Sequence, residues 1–323
     1  MSEFRKDPLH NKWVLFVPER SKRPHAFFSG KDGGVQEDEK KCPFCEGREN
    51  LTPPEVDSFR EKGKADEPGW LVRVFPNKFP ALNKEAKMSS MKAGIPNVVE
   101  GYGFHEVIAE TPSHGKDIYN MSNDEILLVL KMYKKRYNVL KEKKNIKSIF
   151  IFKNHGREAG ASLSHSHSQI LALPIVPPFI EEETVLIVKS DYCIYCGLID
   201  EALDDNRVLL DKKGFIVFAP YASRYPYQLL LLPKRHQPFF GETEDEKLIE
   251  LAAVLQEVFR LYEKLFGNIP FNYFLNTFYE KKGHWNIQIM PKLTVPAGFE
   301  KGTGIFINPV LPKTAIEELK KVK

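Results

Sequence analysis

Long apolar runs, an excess of one charge and a dense set of cysteines are all missing from this chain, and each absence closes a class of function. No stretch approaches the roughly 18–20 consecutive apolar residues needed to cross a bilayer. The opening Met1-Ser2-Glu3-Phe4-Arg5-Lys6-Asp7-Pro8 carries no apolar signal core, so a cytoplasmic protein without a membrane partner is expected. With 47 basic against 43 acidic residues the net charge is only +4, too little for a polyanion-binding field, and no nucleic acid is expected as partner. The basic run Lys131, Lys134, Lys135, Arg136, Lys141, Lys143 and Lys144 reads as the solvated face of a helix. Four cysteines without a secretion signal argue against a disulfide framework. What is present is length: 323 residues can bury two cores of ordinary size, and 42% hydrophobic with 28% charged residues is a globular composition.

The chain repeats itself. His165-Ser166-His167-Ser168-Gln169-Ile170 and His284-Trp285-Asn286-Ile287-Gln288-Ile289 share one grammar and differ at its middle position. Upstream of each lie a Cys-x-x-Cys pair, a strand-like run ending in proline-rich sequence (residues 70–80 and 215–226), and an apolar segment closing on a histidine, His114 or His236. A long amphipathic helix follows, opened by a capping box of Ser122 with Glu125 in one copy and Thr243 with Glu246 in the other. A β-rich run then leads to each His-containing motif. Hairpin-paired strands with one packed helix per unit predict an α+β fold of two tandem units, each an antiparallel sheet with a long helix, over residues 1–176 and 177–323. Residues 84–100 read as a surface loop and residues 174–178 as the junction.

The cysteine pairs need partners. Cys42-Pro43-Phe44-Cys45 could be a redox motif, but no strand precedes it as such motifs require, and each pair has matching histidines downstream. A tetrahedral zinc site takes four thiolate or imidazole ligands. The repeat selects Cys42, Cys45, His114 and His165 for one site and Cys193, Cys196, His236 and His284 for the other. Both sets are closed, which implies structural ions. The isolated His10, His25 and His105 read as hydrogen-bonded surface or core residues.

The chemistry should sit in the first copy. An imidazole can attack phosphorus and carry a phosphoryl group; the carboxamide of Asn286 cannot. If residues 165–169 form a strand, His165, His167 and Gln169 share one face, so that an ion-held His165 anchors the strand while His167 faces a cleft. Gly156, Gly160 and Ser162 suit a loop whose backbone N–H groups approach phosphate oxygens. A non-catalytic zinc-stabilised nucleotide-binding module would leave the retention of His167 beside Asn286 without a reason.

These motifs resemble the histidine-triad superfamily, in the branch of galactose-1-phosphate uridylyltransferase and the related ADP-glucose phosphorylase. The resemblance covers nearly the whole chain. Residues 7–13 and Arg20-Ser21-Lys22-Arg23-Pro24 resemble the family opening, which implies phosphate binding by Arg20 and Arg23. Val74-Phe75-Pro76-Asn77-Lys78-Phe79-Pro80 resembles its nucleotide-binding strand end, implying roles for Asn77 and Phe79. Gly298-Phe299-Glu300 resembles its substrate-closing C-terminal segment, implying roles for Phe299 and Glu300. The family pattern makes His167 the nucleophile that forms a covalent nucleotidyl intermediate and His165 a metal ligand. Gln169 and Ser162 would then bond the nonbridging oxygens, and Asn154 with Gly160 would hold the nucleotide phosphate. Gln169 stands where the family's hydrolases resemble a third histidine, which favours transfer.

The resemblance implies two ions per chain, zinc in the first site and zinc or iron in the second, and a homodimer. The partners it implies are a nucleoside diphosphate sugar and a sugar 1-phosphate or phosphate. Ser166 replaces the proline of the uridylyltransferases, as in the plant-type phosphorylase, while Thr294 and Phe306 stand where a lysine and a glutamine bind hexose phosphate. The expected activity is UDP-glucose:hexose-1-phosphate uridylyltransferase, the commonest in this branch, with ADP-glucose phosphorylase as the alternative.

Overall fold

The computed structural model describes residues 2–22, 39–86 and 101–323. A small sheet combines β1 (Glu3–Lys6) and β2 (Trp13–Phe16) with β13 (Phe306–Asn308), which runs parallel to β2. The main sheet has ten strands: β3 (Asp57–Arg60), β4 (Trp70–Pro76), β5 (Phe104–Ala109), β6 (Ser148–His155), β7 (His167–Leu173), β8 (Val208–Asp211), β9 (Phe215–Phe218), β10 (Leu229–Pro233), β11 (Phe271–Asn276) and β12 (Asn286–Pro291). Their order is β3-β4-β5-β7-β6-β11-β12-β10-β9-β8, antiparallel throughout. Each repeat thus supplies five neighbouring strands.

Two separate sheets would each have exposed an edge. Instead β6 and β11 pair, with Phe271 opposite His155 and Leu275 opposite Ile151, so that one continuous ladder satisfies both backbones. The remaining elements are helices α1 (Asn123–Lys141), α2 (Pro178–Lys189), α3 (Ile194–Asp204), α4 (Asp245–Phe266), α5 (Gly298–Thr303) and α6 (Pro312–Lys321).

Helices α1 and α4 lie side by side on one face of the sheet. Their apolar stripes recur at helical spacing: Ile126, Val129, Leu130, Tyr133, Tyr137 and Leu140 on α1, and Leu248, Leu251, Leu255, Val258, Phe259 and Tyr262 on α4. Both stripes join strand residues such as Val72, Ile108, Ile151, Ile170, Val217, Leu231 and Ile289 in one core. The other face differs between the halves. Over the second half, α2 and α3 bury Ile180, Ile187, Tyr195 and Ile199 against Phe218, Leu230 and Leu232. Over the first half, among the described residues, Trp70, Phe75, Val107 and Ala109 form a small cluster with Phe44 against them.

Several local expectations change. Ser122 caps α1 as expected, accepting from Glu125 N–H while the Glu125 carboxylate accepts from Ser122 N–H. The second capping box does not form: α4 starts one residue later on Glu244, and Thr243 is fully buried, accepting from Gln237 Nε2 at 3.2 Å. Asp245 in the first turn, ion-paired with Lys131 and Lys134 on α1, stabilises that helix end through the macrodipole. The basic run on α1 is not wholly solvated either. Arg136 is buried and grips Glu106 with two hydrogen bonds, because its position falls on the sheet-facing side of the helix. Of residues 84–100, those from 87 on lie outside the described residues, as does His25.

Candidate active site and metal centres

The strand that carries His167 begins at His167 itself, two residues later than expected. His165 precedes it, yet the Phe44 ring touches both imidazoles, at 6.2 and 5.3 Å between centroids, so both stand on the open face of the first half. His167 Nδ1 lies 2.8 Å from the carbonyl oxygen of His165. A carbonyl can only accept, so Nδ1 carries the proton and Nε2 keeps its lone pair. Burial lowers the pKa of His167, which keeps the ring neutral. A neutral imidazole with Nδ1–H committed keeps its basic lone pair on Nε2, the form that can act on an electrophile. In the second half, Asn286 Nδ2 donates to His284 O at 3.1 Å, the same bond made by a carboxamide in place of an imidazole.

Behind β7, on the helix face, a buried charge cluster supports the strand. Lys153 Nζ bonds Glu110, the Ser166 hydroxyl at 2.5 Å and Asp117 at 3.0 Å. Ser166 donates to Glu110 at 2.7 Å, and Asp117 binds His155 Nδ1 at 2.8 Å. Burial alone would push Lys153 towards neutrality, but Asp117 and Glu110 outweigh it and its pKa is raised. Sequence reasoning missed this cluster. Its signal was there: Ile149, Ile151 and Lys153 alternate on the inward face of β6, where a lysine is affordable only with buried partners.

The loop after β6 turns on two glycines. Gly156 has φ +80° and a Cβ there would come within 2.9 Å of Pro270; Gly160 has φ +91° and sits against the Asn154 amide. Asn154 is tied to β11 through Asn272 Nδ2, 2.8 Å from its Oδ1, and the same nitrogen donates to Ala159 O. Asn154 and Gly160 are therefore neighbours, with Ser162 exposed at the loop rim. A cleft lined by Asn154, His155, Gly156, Ser164, His165 and His167 opens beside them. Gln169 follows His167 on the same side and accepts from His105 Nε2 at 2.7 Å; Asn77 is next to both. Phe79 is 84% exposed.

The other expected site residues lie elsewhere. Arg20 falls in a short 3-10 helix after β2, Phe299 is exposed on α5, and Glu300 accepts from Ala297 N–H at the start of α5. This assembly rests on the second half through Asn308, which donates to Ser223 O. Among the described residues, no hydrogen bond or ring contact links it to His167. Arg23 lies outside the described residues.

The eight expected metal ligands do come together, as two clusters whose donor atoms lie within 4.8 Å of one another. In the first, Cys42 and Cys45 Sγ are each 3.6 Å from His165 Nδ1, and Cys45 Sγ is 3.4 Å from His114 Nδ1. Zn–S of about 2.3 Å and Zn–N of about 2.0–2.1 Å imply a tetrahedral edge of about 3.5 Å. In the second, both sulfurs stand 3.7 Å from His284 Nδ1. Each histidine turns its other nitrogen to an oxygen: His165 to Thr111 O, His284 to Pro233 O, His236 to Lys281 O and His114 to Ser164 Oγ. These bonds leave Nδ1 free to ligate. Burial holds His165 and His284 down at about 4, and pushes the Cys45 and Cys196 thiols up to about 12. A divalent cation is what would reverse the thiol shift, so the donor chemistry fits a metal ion.

Comparison with known proteins agrees with this arrangement. The family described as galactose-1-phosphate uridyl transferase, N-terminal domain, matches residues 1–177. The chain belongs to the galactose-1-phosphate uridylyltransferase family. A second family, described only as a domain of unknown function, matches residues 119–322. Among relatives, ADP-glucose phosphorylase of Arabidopsis thaliana is 36% identical over 99% of this chain and 93% of its own length. Galactose-1-phosphate uridylyltransferase of Thermotoga maritima is 31% identical over 100% and 99%. The crystal structure of the Arabidopsis thaliana ADP-glucose phosphorylase with bound ADP-glucose superposes with a TM-score of 0.83 at 33% identity, covering all of both chains. A uridylyltransferase structure at 24% identity, TM-score 0.75, shares the fold. Both activities named among the relatives are nucleotidyl transfers, and this chain is a nucleotidyltransferase of that family. No helix among the described residues is long and apolar enough to cross a membrane.

Proposed function

We propose that the chain moves a nucleotidyl group from a nucleoside diphosphate sugar to a phosphate acceptor through a covalent bond to His167. The observation that carries this is the His167 tautomer: Nδ1–H is committed to His165 O, and the lone pair of Nε2 is left for attack. Nε2 forms a bond to the α-phosphorus as the bond to the bridging oxygen breaks, releasing the sugar 1-phosphate. An acceptor phosphate oxygen then displaces the imidazole. Positive charge on the ring in between is spread through Nδ1–H to the carbonyl. Asn154, Gly160, Ser162 and Gln169 hold the phosphate oxygens, Asn77 and Phe79 the nucleoside, and Arg20, Arg23, Phe299 and Glu300 close on the rest. Each Cys2His2 cluster would hold one zinc as a structural ion, and ligation by Cys42, Cys45, His114 and His165 would fix the segment of Phe44 and the backbone entering β7.

ADP-glucose phosphorolysis, giving ADP and glucose 1-phosphate, is the better-supported activity. Phe306, where the hexose-phosphate pattern needs an amide, packs its ring on Tyr225 at 5.4 Å, and Thr294 supplies no cation. Ser166 bonds Lys153 and Glu110, which proline could not do. Similarity to the plant phosphorylase adds to this, and reverses the order of preference reached from sequence. UDP-glucose:galactose-1-phosphate uridylyl transfer is the second reading, favoured by the full-length relative in Thermotoga maritima.

Intact-mass measurement after incubation with ADP-glucose and, separately, UDP-glucose identifies the donor by the adduct left on His167. Steady-state rates with phosphate and with galactose 1-phosphate then identify the acceptor. We expect kcat/KM for ADP-glucose with phosphate to exceed the galactose 1-phosphate reaction by more than about tenfold, or about 1.4 kcal/mol in transition-state binding. The opposite order returns the chain to the uridylyltransferases.

A further inference from the structure

Gln169 is useful to a phosphoryl group only if its amide points the right way. Its NH2 end donates to phosphate oxygens; its carbonyl end repels them. Nothing in the side chain itself chooses between the two, since a half-turn about the last bond exchanges them. The choice must come from its neighbours.

The neighbours form a chain of bonds whose direction is set by backbone donors. Ala81 N–H lies 3.1 Å from His105 Nδ1, and an N–H can only donate, so Nδ1 is the bare nitrogen of that ring. His105 Nε2 therefore carries the proton. It stands 2.7 Å from Gln169, and the atom receiving that proton must be Oε1. A second backbone donor acts in parallel: Phe79 N–H bonds Asn77 Oδ1 at 2.9 Å, which turns the Asn77 NH2 towards the same place. Asn77 Nδ2 is 3.2 Å from His105 Nε2 and 3.5 Å from Gln169 Oε1; two donors cannot bond each other, so its hydrogen goes to the oxygen. With Oε1 occupied from both sides, Gln169 Nε2 makes no hydrogen bond among the described residues and faces away from His105. Burial also keeps the pKa of His105 below its ordinary value, so the ring stays in the single-proton form this chain of bonds needs.

The second half carries a matching pair. Strand register places His105 opposite Leu171 and Val107 opposite Gln169; in the other half Leu230 lies opposite Gln288, so Gln228 occupies the place of His105. Gln228 Nε2 donates to Gln288 Oε1, at 3.5 Å. A donor at this position thus orients the glutamine of either motif, and only in the first half is there a nucleophile beside it.

We infer that His105 is a positioning residue for nucleotidyl transfer, holding the Gln169 amide with its NH2 towards the phosphoryl group on His167. The inference rests on the nucleotidyl-transfer reading. It also ties the nucleoside-binding end of β4 to the reacting phosphate, because the backbone of residues 79 and 81 sets the direction of every bond in the chain.

The test contrasts a donor with an acceptor at position 105. His105→Gln can donate to Oε1 as Gln228 does; His105→Glu can only accept, and turns the amide over; His105→Leu leaves it undirected. Nucleotidylation of His167 is followed in single turnovers of the metal-loaded enzyme with ADP-glucose and UDP-glucose, beside metal content and melting temperature. His105→Gln is expected to stay within about threefold of the parent, His105→Leu to slow about tenfold, and His105→Glu about 100-fold, the range for losing one donor at a developing charge. In a Gln169→Ala background the three should become equal, since their effects pass through one amide. Should His105→Glu not fold, the Gln and Leu variants carry the same contrast. Equal rates for the donor and acceptor variants, or a difference that persists without Gln169, would overturn the assignment of His105. A parent enzyme that forms no adduct on His167 with either donor is a different failure, which removes the nucleotidyl-transfer reading and this inference with it.

Discussion

The two halves of the sheet are built on one plan and differ in what covers their outer face. In the first half that face carries Phe44, His167, Gln169 and the glycine loop, with Ala109 and Val107 beneath. In the second, Leu232 and Leu230 occupy the matching register positions and α2 and α3 are packed on them. The contrast extends to the helix side. Register places Lys153 beside Ser168 and Leu275 beside Ile287, so the buried lysine of one half is a leucine in the other. A duplicated scaffold has kept both ion clusters and assigned polar work to one copy, apolar packing to the other.

The strongest test of this asymmetry exchanges the two middle residues. His167→Asn should lower transfer by at least about 1,000-fold, the order found when a nucleophile is removed, while melting temperature and metal content stay unchanged. The reciprocal Asn286→His, made in that background, should gain no adduct at position 286, because Tyr195 and the α2–α3 cover exclude a donor. Mapping the adduct by mass spectrometry decides it; a nucleotidyl group on residue 286 would mean that one side chain is the whole difference.

The buried charges offer a second contrast. Lys153→Leu, which copies the second half, leaves Glu110 and Asp117 without their cation and should cost about 3–5 kcal/mol in urea unfolding. Adding Glu110→Gln should recover part of that loss, since the unpaired carboxylate is what is expensive. No recovery would show that Lys153 contributes by shape rather than charge.

A smaller difference is expected between the ion clusters. Elemental analysis should find about two ions per chain, and Cys42→Ser or Cys193→Ser should each remove one. The first is expected to lower kcat of the folded protein by about 10- to 100-fold, because His165 leads directly into the strand that aims His167. The second should cost stability with kcat within about twofold. Equal losses of kcat would place both ions in the same role.

Local rules carried far along this chain where the partner of a residue is its own sequence neighbour. The Ser122 cap, the stripes of α1 and α4 and the strand runs all follow from spacing. They failed where a distant partner intervened: Thr243 turns inward to Gln237 and Arg136 to Glu106, while His105 is hydrogen-bonded as expected but to a partner, Gln169, that spacing could not name. Helices α2 and α3 were not anticipated, because nothing in their periodicity tells which sheet face they cover.

By itself the sequence determined the duplication, the α+β class, the eight cysteine and histidine positions that meet in two clusters, and the one motif histidine without a counterpart. All of these depend on residue identity at a fixed offset, which a linear string displays. Only the tertiary structure decided that β6 and β11 join two sheets into one, that α2 and α3 close the second face, and that Lys153, Glu110, Asp117 and His105 stand around β7. Those outcomes depend on which strand edges, apolar faces and buried charges find one another across tens to more than a hundred residues, where the free energy lies in pairing exposed edges and burying complementary surfaces rather than in any local propensity.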